Sequence, residues 1–191
     1  MASDGILGRI LQSLATQSTP YKVGAYSIAG TTRMLKGPVP YDIVDPEEGV
    51  LGFSENRHLR SYIANMTRYE SASAFAETYN EALQGLSQAE ALSEALASVE
   101  LTNTFKNTDI SQQFKQVAKL IKLRGQTERE AYVIRLRGFE DAHADDDSLA
   151  DLLDDLNNGI KKFVAEMEEE GAWQNVTIVS ASEFGRTLSP N

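Results

Sequence analysis

The last third of the chain carries a strand–helix–strand pattern, which restricts the possible folds more than any other feature of the sequence. Two short runs rich in β-branched and apolar residues, AYVIRL (131–136) and VTIVSA (176–181), have the composition of buried strands. A long amphipathic segment separates them. A crossover of this length favours parallel strands joined by a right-handed connection. We therefore predict an α/β fold in which a parallel sheet is flanked by helices.

The segment between these two runs is predicted to be one long helix. Ser148 is placed to cap its start and Gly171 its end, because serine favours the N-cap and glycine the position after the last turn. The apolar residues recur at helical spacing and form one stripe. They are Leu149, Leu152, Leu153, Leu156, Ile160, Phe163, Val164 and Met167.

The first third of the chain predicts one helix and one strand before an irregular region. Apolar residues recur at helical spacing over 3–17, with Ser3 or Asp4 as the N-cap. The run KVGAYSIAG (22–30) has β character. Prolines and glycines over 31–51 indicate a surface excursion, with a short edge strand at 41–44.

Two further helical regions are predicted in the middle of the chain. The alanine-rich stretch 56–101 contains no proline and has helical periodicity, and 111–123 is amphipathic, with Gly125 just after its end. At 191 residues the chain suits a single α/β domain or a fragment of one. Within it, 56–101 would be a helical insertion and 131–187 a βαβ unit that carries the candidate site.

Composition excludes several classes of function. The chain has no cysteine, which removes disulfides, thiolate catalysis and cysteine-bound zinc, and it has two histidines, His58 and His143. A net charge of −10 argues against binding to a nucleic-acid backbone. No stretch is apolar for long enough to span a membrane, and the opening MASDGILGRILQ does not have the pattern of a secretory signal.

The predicted topology places two acidic loops at the same edge of the sheet. Ligands of open parallel sheets bind beyond the carboxyl ends of the strands. Those ends are followed by RGFEDAHADDD (137–147) and SEFGRT (182–187). If the two strands are neighbours, Asp141, His143 and Glu183 can meet around one ion. Two carboxylates and an imidazole suit zinc, manganese or iron better than calcium.

These two loops also resemble motifs of the domain-of-unknown-function family 1501, which is similar to the alkaline phosphatase and sulfatase superfamily. Its members show a Gly-Phe-Asp-Thr-His turn, a long helix, and a strand that ends in Ser-Glu/Asp-Phe-Gly-Arg-Thr. Gly138, Phe139, Asp141 and His143 match the turn, with Glu140 inserted and Ala142 in place of threonine. The second motif matches over 182–187 without a gap. The resemblance extends over most of the chain.

The resemblance implies a metal-dependent hydrolase of phosphate or sulfate esters. Asp141, His143 and Glu183 would then bind a divalent metal, and Arg186 would hold the anionic ester substrate. The family's N-terminal glycine-rich turn has no counterpart, and its Thr-Asp-His segment would lie beyond Asn191. We therefore expect an internal piece or shortened relative of a larger protein, with weak activity or none. Relatives of this type often carry export signals, which is compatible with an extracytoplasmic location.

Three other interpretations remain open. The protein could be a non-catalytic scaffold that binds a protein partner or forms an oligomer through 56–101. Asp145, Asp146 and Asp147 could bind calcium in a structural module. The acidic loop could be a solvated surface that favours the helix dipole, and Glu183 and Arg186 could simply pair with each other.

Overall fold

The computed structural model describes residues 4–46, 49–50, 92–125, 127–139 and 146–182, with side chains for all of these except 49, 50, 146 and 147. The order of elements is α1 (Ile6–Thr16), β1 (Val23–Ser27), β2 (Asp42–Asp45), β3 (Gly49–Val50), α2 (Asp109–Leu123), β4 (Arg129–Val133), α3 (Asp146–Glu169) and a 3-10 helix (Trp173–Asn175). Residues 92–98 are also helical. No helix in these ranges is both long enough and apolar enough to cross a bilayer.

The sheet has the strand order β3-β2-β1-β4, and its three main strands are parallel. The short strand β3 pairs antiparallel with β2 and forms one edge. Along β1, Tyr26 lies opposite Tyr132 of β4, and the two rings stack with centroids 5.5 Å apart. The predicted α/β class, with a parallel sheet flanked by helices, is confirmed.

Alternate strand residues point to opposite faces of the sheet. Helix α1 covers one of these faces. Leu11 of α1 packs with Ala25 of β1, Val133 of β4 and Leu35 of the following loop. The first N–H groups of α1 donate to that same loop: Leu7 and Gly8 bind the Met34 carbonyl at 3.0 and 3.1 Å. The loop therefore takes the place of a side-chain cap.

The opposite face is covered by α2, which is buried between the sheet and α3. Phe114 of α2 packs against Phe163 of α3, with ring centroids 5.5 Å apart, and both belong to the larger core cluster. Gly159 of α3 leaves room for this contact, since a Cβ there would press on the Phe114 ring at 2.9 Å. Helices α2 and α3 therefore pack as one unit against the sheet.

A buried carboxylate joins α3 to α2 and to the loop before α2. The Glu166 side chain is 0% exposed and forms a salt bridge with Lys122 at 3.2 Å. It also accepts hydrogen bonds from the backbone N–H groups of Thr102 (3.1 Å) and Asn103 (2.8 Å). Burial by itself would raise the pKa of Glu166, but the bonds from Asn103, Thr102 and Lys122 outweigh burial and lower it.

The long helix α3 has the predicted glycine cap at its C-terminal end but not the predicted serine cap at its N-terminal end. Gly171 has φ +64, its N–H donates to the Glu168 carbonyl, and the Ala172 N–H donates to the Met167 carbonyl. These are the two bonds of a Schellman motif, so the predicted glycine cap is confirmed. At the other end α3 begins at Asp146, two residues before Ser148, so the predicted serine cap is wrong.

Other helix and strand boundaries also differ from the predicted ones. Helix α1 has Gly5 as its N-cap, without a side-chain cap bond, because loop carbonyls take its N–H groups. The strand predicted at 131–136 runs instead over Arg129–Val133. The predicted edge strand at 41–44 is β2, but β3 lies outside it, so it is not at the edge. Gly125 follows α2 without a positive φ.

The second strand of the predicted βαβ unit is not formed. Residues 176–182 have no strand pairing, and two of their apolar side chains face solvent, Ile178 at 44% and Val179 at 81% exposure. Strand propensity depends on packing against neighbours. Val176 packs against the larger core cluster, but in the described part of the chain the segment that follows it has no strand to pair with. Most of the predicted insertion at 56–101 lies outside the described residues; its described part includes the helical residues 92–98.

Gly8→Ala is expected to destabilise the protein, although alanine is the better helix former by about 1 kcal/mol. A Cβ at position 8 would overlap the Lys36 carbonyl. This carbonyl belongs to the backbone, which cannot move aside as a flexible side chain can. We expect a loss of about 1–3 kcal/mol in the free energy of unfolding, measured by urea denaturation. Ser13→Ala, at an exposed site on the same helix, is the control. A gain of stability for Gly8→Ala would contradict the packing described here.

Glu166→Gln is expected to reduce the free energy of unfolding by about 3 kcal/mol at pH 7, because it removes the charge that four donors surround. The folded-state pKa of Glu166 is lowered. The stabilisation is therefore complete above the unfolded-state pKa and is lost as the pH falls through the lower folded-state pKa. The difference between parent and variant should thus shrink in acid. Glu168→Gln, at an exposed neighbour, should show neither effect.

Candidate functional site

A cleft of about 590 Å³ lies at the edge of the sheet where the three parallel strands end. This is the position at which open parallel sheets bind ligands. The helix α2 begins at the same edge. The cleft is lined by residues 28–30 after β1, 43–46 at the end of β2, 107–109, Gln112 and Gln113 at the start of α2, and Arg135 and Arg137 after β4.

Gln113 fixes the segment that leaves β4. Its side chain is buried, at 2% exposure, and bonds to both backbone groups of Arg135. Nε2 donates to the Arg135 carbonyl at 2.9 Å, and Oε1 accepts from the Arg135 N–H at 2.8 Å. Nε2 also donates to Asp109 Oδ2 at 3.0 Å. The amide thus continues the hydrogen bonding of β4 beyond its last paired residue and holds this segment against α2.

Arg135 and Arg137 carry the positive charge of the cleft. Both residues are exposed, and neither guanidinium group has a hydrogen-bond or ion-pair partner among the described residues. A guanidinium group presents five N–H donors and no acceptor. These two side chains can therefore bind an anionic group at the cleft.

The opposite wall is the first turn of α2. Thr108 is its N-cap but makes no side-chain cap bond, and the buried Thr108 Oγ1 has no partner in the part of the chain that the structure describes. Asp109 stands in the first turn, where the helix dipole favours a negative charge. The cleft therefore combines carboxylate and hydroxyl groups on one side with guanidinium groups on the other.

The chain turns away from the cleft at Gly138, the glycine that matches the family motif. Its φ of +100 is one that L side chains rarely adopt, and a Cβ there would contact Leu152 of α3. Residues 140–145 lie in the sequence between Phe139 and α3, which begins at Asp146. The segment with the first predicted ligands therefore begins three residues after a residue that lines the cleft, Arg137.

The predicted site residues Asp141, His143, Glu183 and Arg186 all lie outside the described residues. Asp145 does too, and Asp146 and Asp147 are described as helical backbone without their side chains. The last described residue before Glu183 is Ser182, which is exposed. Within the described ranges no three His, Cys, Asp or Glu side chains are grouped so that they could hold a metal ion.

The missing strand removes the geometric argument for bringing Glu183 to the metal ligands. That argument required 176–181 to pair with the strand before Asp141, and these residues are not paired. The cleft lies at the sheet edge on which the site was predicted, but β1 and β2, rather than 176–181, supply the other strand ends there. The sequence did not indicate that Asp109, Gln113 and Arg135 line the cleft, because the fold brings them together from helix α2 and from the segment after β4.

Gln113→Leu is expected to lower the free energy of unfolding by about 1–2 kcal/mol, because it leaves the Arg135 N–H and carbonyl without their partner. Leucine keeps the approximate volume of the side chain, so the loss reports the hydrogen bonds. Hydrogen exchange should show faster exchange of the Arg135 amide. Gln112→Leu, which loses one bond to the Lys106 carbonyl, is the control. An unchanged Arg135 exchange rate in Gln113→Leu would contradict the assigned role.

Comparison with known proteins gives one match. No curated protein and no solved structure matches the chain. The model of one family, described as a protein of unknown function (DUF1501), matches residues 3–191. Because this match covers nearly the whole chain, the protein belongs to that family of unknown function, DUF1501.

Proposed function

We propose that the protein is a metal-dependent hydrolase-like protein that acts on phosphate or sulfate esters, with the ester bound in the cleft at the ends of β1, β2 and β4. The observation that carries the proposal is the position of this cleft, next to the start of the loop with Asp141 and His143. The resemblance of that loop to a metal-ligand motif supports it.

The described residues do not by themselves fit a metal, since they contain no suitable group of ligands. The proposal therefore assigns the metal to Asp141, His143 and Glu183, whose oxygen and nitrogen atoms suit zinc, manganese or iron. When bound, such an ion would supply a Lewis acid for an ester oxygen. Arg186 would bind the anion. The described residues contribute the wall of the cleft, and Gln113 keeps the β4 exit in place.

A second candidate function is a non-catalytic scaffold that binds another protein. The exposed apolar side chains of Ile178 and Val179 favour this candidate, because they are adjacent on a segment that forms no strand. This function needs neither a metal nor turnover, so the two candidates differ in a measurable way.

The protein is expected to bind a divalent ion through His143. After chelation, it would be reloaded separately with zinc, manganese and iron, and its metal content measured together with turnover of 4-nitrophenyl phosphate and sulfate. His143→Ala and Glu183→Ala should each weaken metal binding by about tenfold or more, since even residues that only orient ligands contribute that much. His58→Ala is the matched control, because it removes the other histidine.

Metal binding is the primary measurement, because the proposal allows weak activity. Absence of a bound ion, or equal binding by His143→Ala and the parent protein, would contradict the hydrolase-like proposal. In that event, a concentration-dependent mass in light scattering would favour the scaffold.

A further inference from the structure

The cleft is polar on both sides, and the charges differ between the two sides. Arg135 and Arg137 lie on the β4 side, and Asp109 lies on the α2 side. Asp45 also lines the cleft, at the end of β2. The formal charges of these four side chains cancel, so the cleft is not simply an anion trap.

The two arginines can bind a group with negative charge. Each guanidinium group can donate two parallel hydrogen bonds to a phosphate or sulfate group. The two residues are two positions apart on the segment that Gln113 holds against α2. Because that segment is fixed at Arg135, an anion bound there would meet donors whose backbone is already in place.

The α2 side can bind a group that donates hydrogen bonds. An ionised carboxylate accepts hydrogen bonds at about four positions. The described contacts of Asp109 supply one, from Gln113 Nε2. The neighbouring Thr108 Oγ1 has no partner in the described ranges and can donate or accept. Hydroxyl groups of a ligand can donate to the Asp109 carboxylate.

A simple aryl ester meets only half of these requirements. Its phosphate or sulfate group suits the arginines, but its ring offers no donor to Asp109. An ester of a polyhydroxyl alcohol offers an anion at one end and several O–H donors at the other. A volume of about 590 Å³ lies in the range of small-ligand sites.

We propose that the cleft binds an anionic ester of a polyhydroxyl alcohol, such as a sugar phosphate or sugar sulfate, with Arg135 and Arg137 binding the anion and Asp109 the hydroxyl groups. This inference rests on the proposed function and deepens it, since it names the substrate class and three residues that bind it. Arg135 and Arg137 act here in addition to Arg186.

The test is equilibrium binding by calorimetry, in the presence of a chelator and at constant ionic strength. Four probes are compared. Glucose 6-phosphate and glucose 6-sulfate carry hydroxyl groups as well as an anion, whereas phenyl phosphate and phenyl sulfate carry only the anion. We expect the two glucose esters to bind about tenfold more tightly than the phenyl esters, a difference of about 1.4 kcal/mol. Comparison of phosphate with sulfate shows which anion the arginines prefer.

One variant tests the arginines on the β4 side of the cleft, and a second tests Asp109 on the α2 side. Arg135→Gln/Arg137→Gln should weaken binding of all four probes by about tenfold or more. Asp109→Asn should reduce the preference for the glucose esters and improve binding of the phenyl esters. The control is Arg9→Gln/Arg129→Gln, which removes the same charge elsewhere; Arg129 lies over the Tyr21 ring, 4.5 Å from its centroid.

Equal affinity for glucose and phenyl esters would overturn the inference. So would an equal loss in the control double variant, or an unchanged preference in Asp109→Asn. The experiment excludes divalent metals and measures no turnover. Failure of the metal-dependent hydrolase proposal would therefore leave its result unaffected, and the two failures can be told apart.

Discussion

Parallel pairing on both sides of β1 determines where chemistry can occur in this protein. Ser27, the last residue of β1, lies opposite Ile43 of β2 on one side and Val133, the last residue of β4, on the other. The strands therefore end at nearly the same level, and the segments that follow them emerge side by side. An antiparallel arrangement would send neighbouring exits to opposite edges, and the cleft would lose one of its walls.

Helix α2 connects this edge to the rest of the fold. Its apolar face, which includes Phe114 and Val117, is buried between the sheet and α3. Near its start, Gln113 holds the β4 exit, and near its end Lys122 pairs with the buried Glu166. The same helix thus fixes one wall of the cleft and the position of α3.

The helices were predictable because their periodicity is local. Helices α1, α2 and α3 each match an amphipathic stretch of the sequence, and the Gly171 cap follows from a conformation that glycine tolerates. Two of the failures depend on distant contacts. The 176–181 run has the composition of a strand, but a strand also needs a neighbour, which its sequence does not specify. The start of α1 depends on the Met34 and Lys36 carbonyls.

The rule for parallel sheets indicated the edge at which the cleft lies, and Arg137 of the RGF segment (137–139) lines that cleft. A functional site at this edge stays a prediction. The role of Gln113 could not be predicted, because an amide in an amphipathic helix gives no sign that it will pair with a strand backbone. The proposed ligands Asp141, His143, Glu183 and Arg186 stay predictions from sequence.

The central claim, that a metal binds beside the cleft, can be tested most directly by nuclear magnetic resonance with Mn²⁺. Paramagnetic broadening depends on distance from the ion, so it locates the metal without requiring activity. The account predicts that the amide signals of Gly30, Asp109, Arg135 and Arg137 broaden first, while those of α1 residues such as Ser13 stay sharp. Broadening that begins instead at the acidic end of α3, around Glu168–Glu170, or no selective broadening at all, would contradict the account.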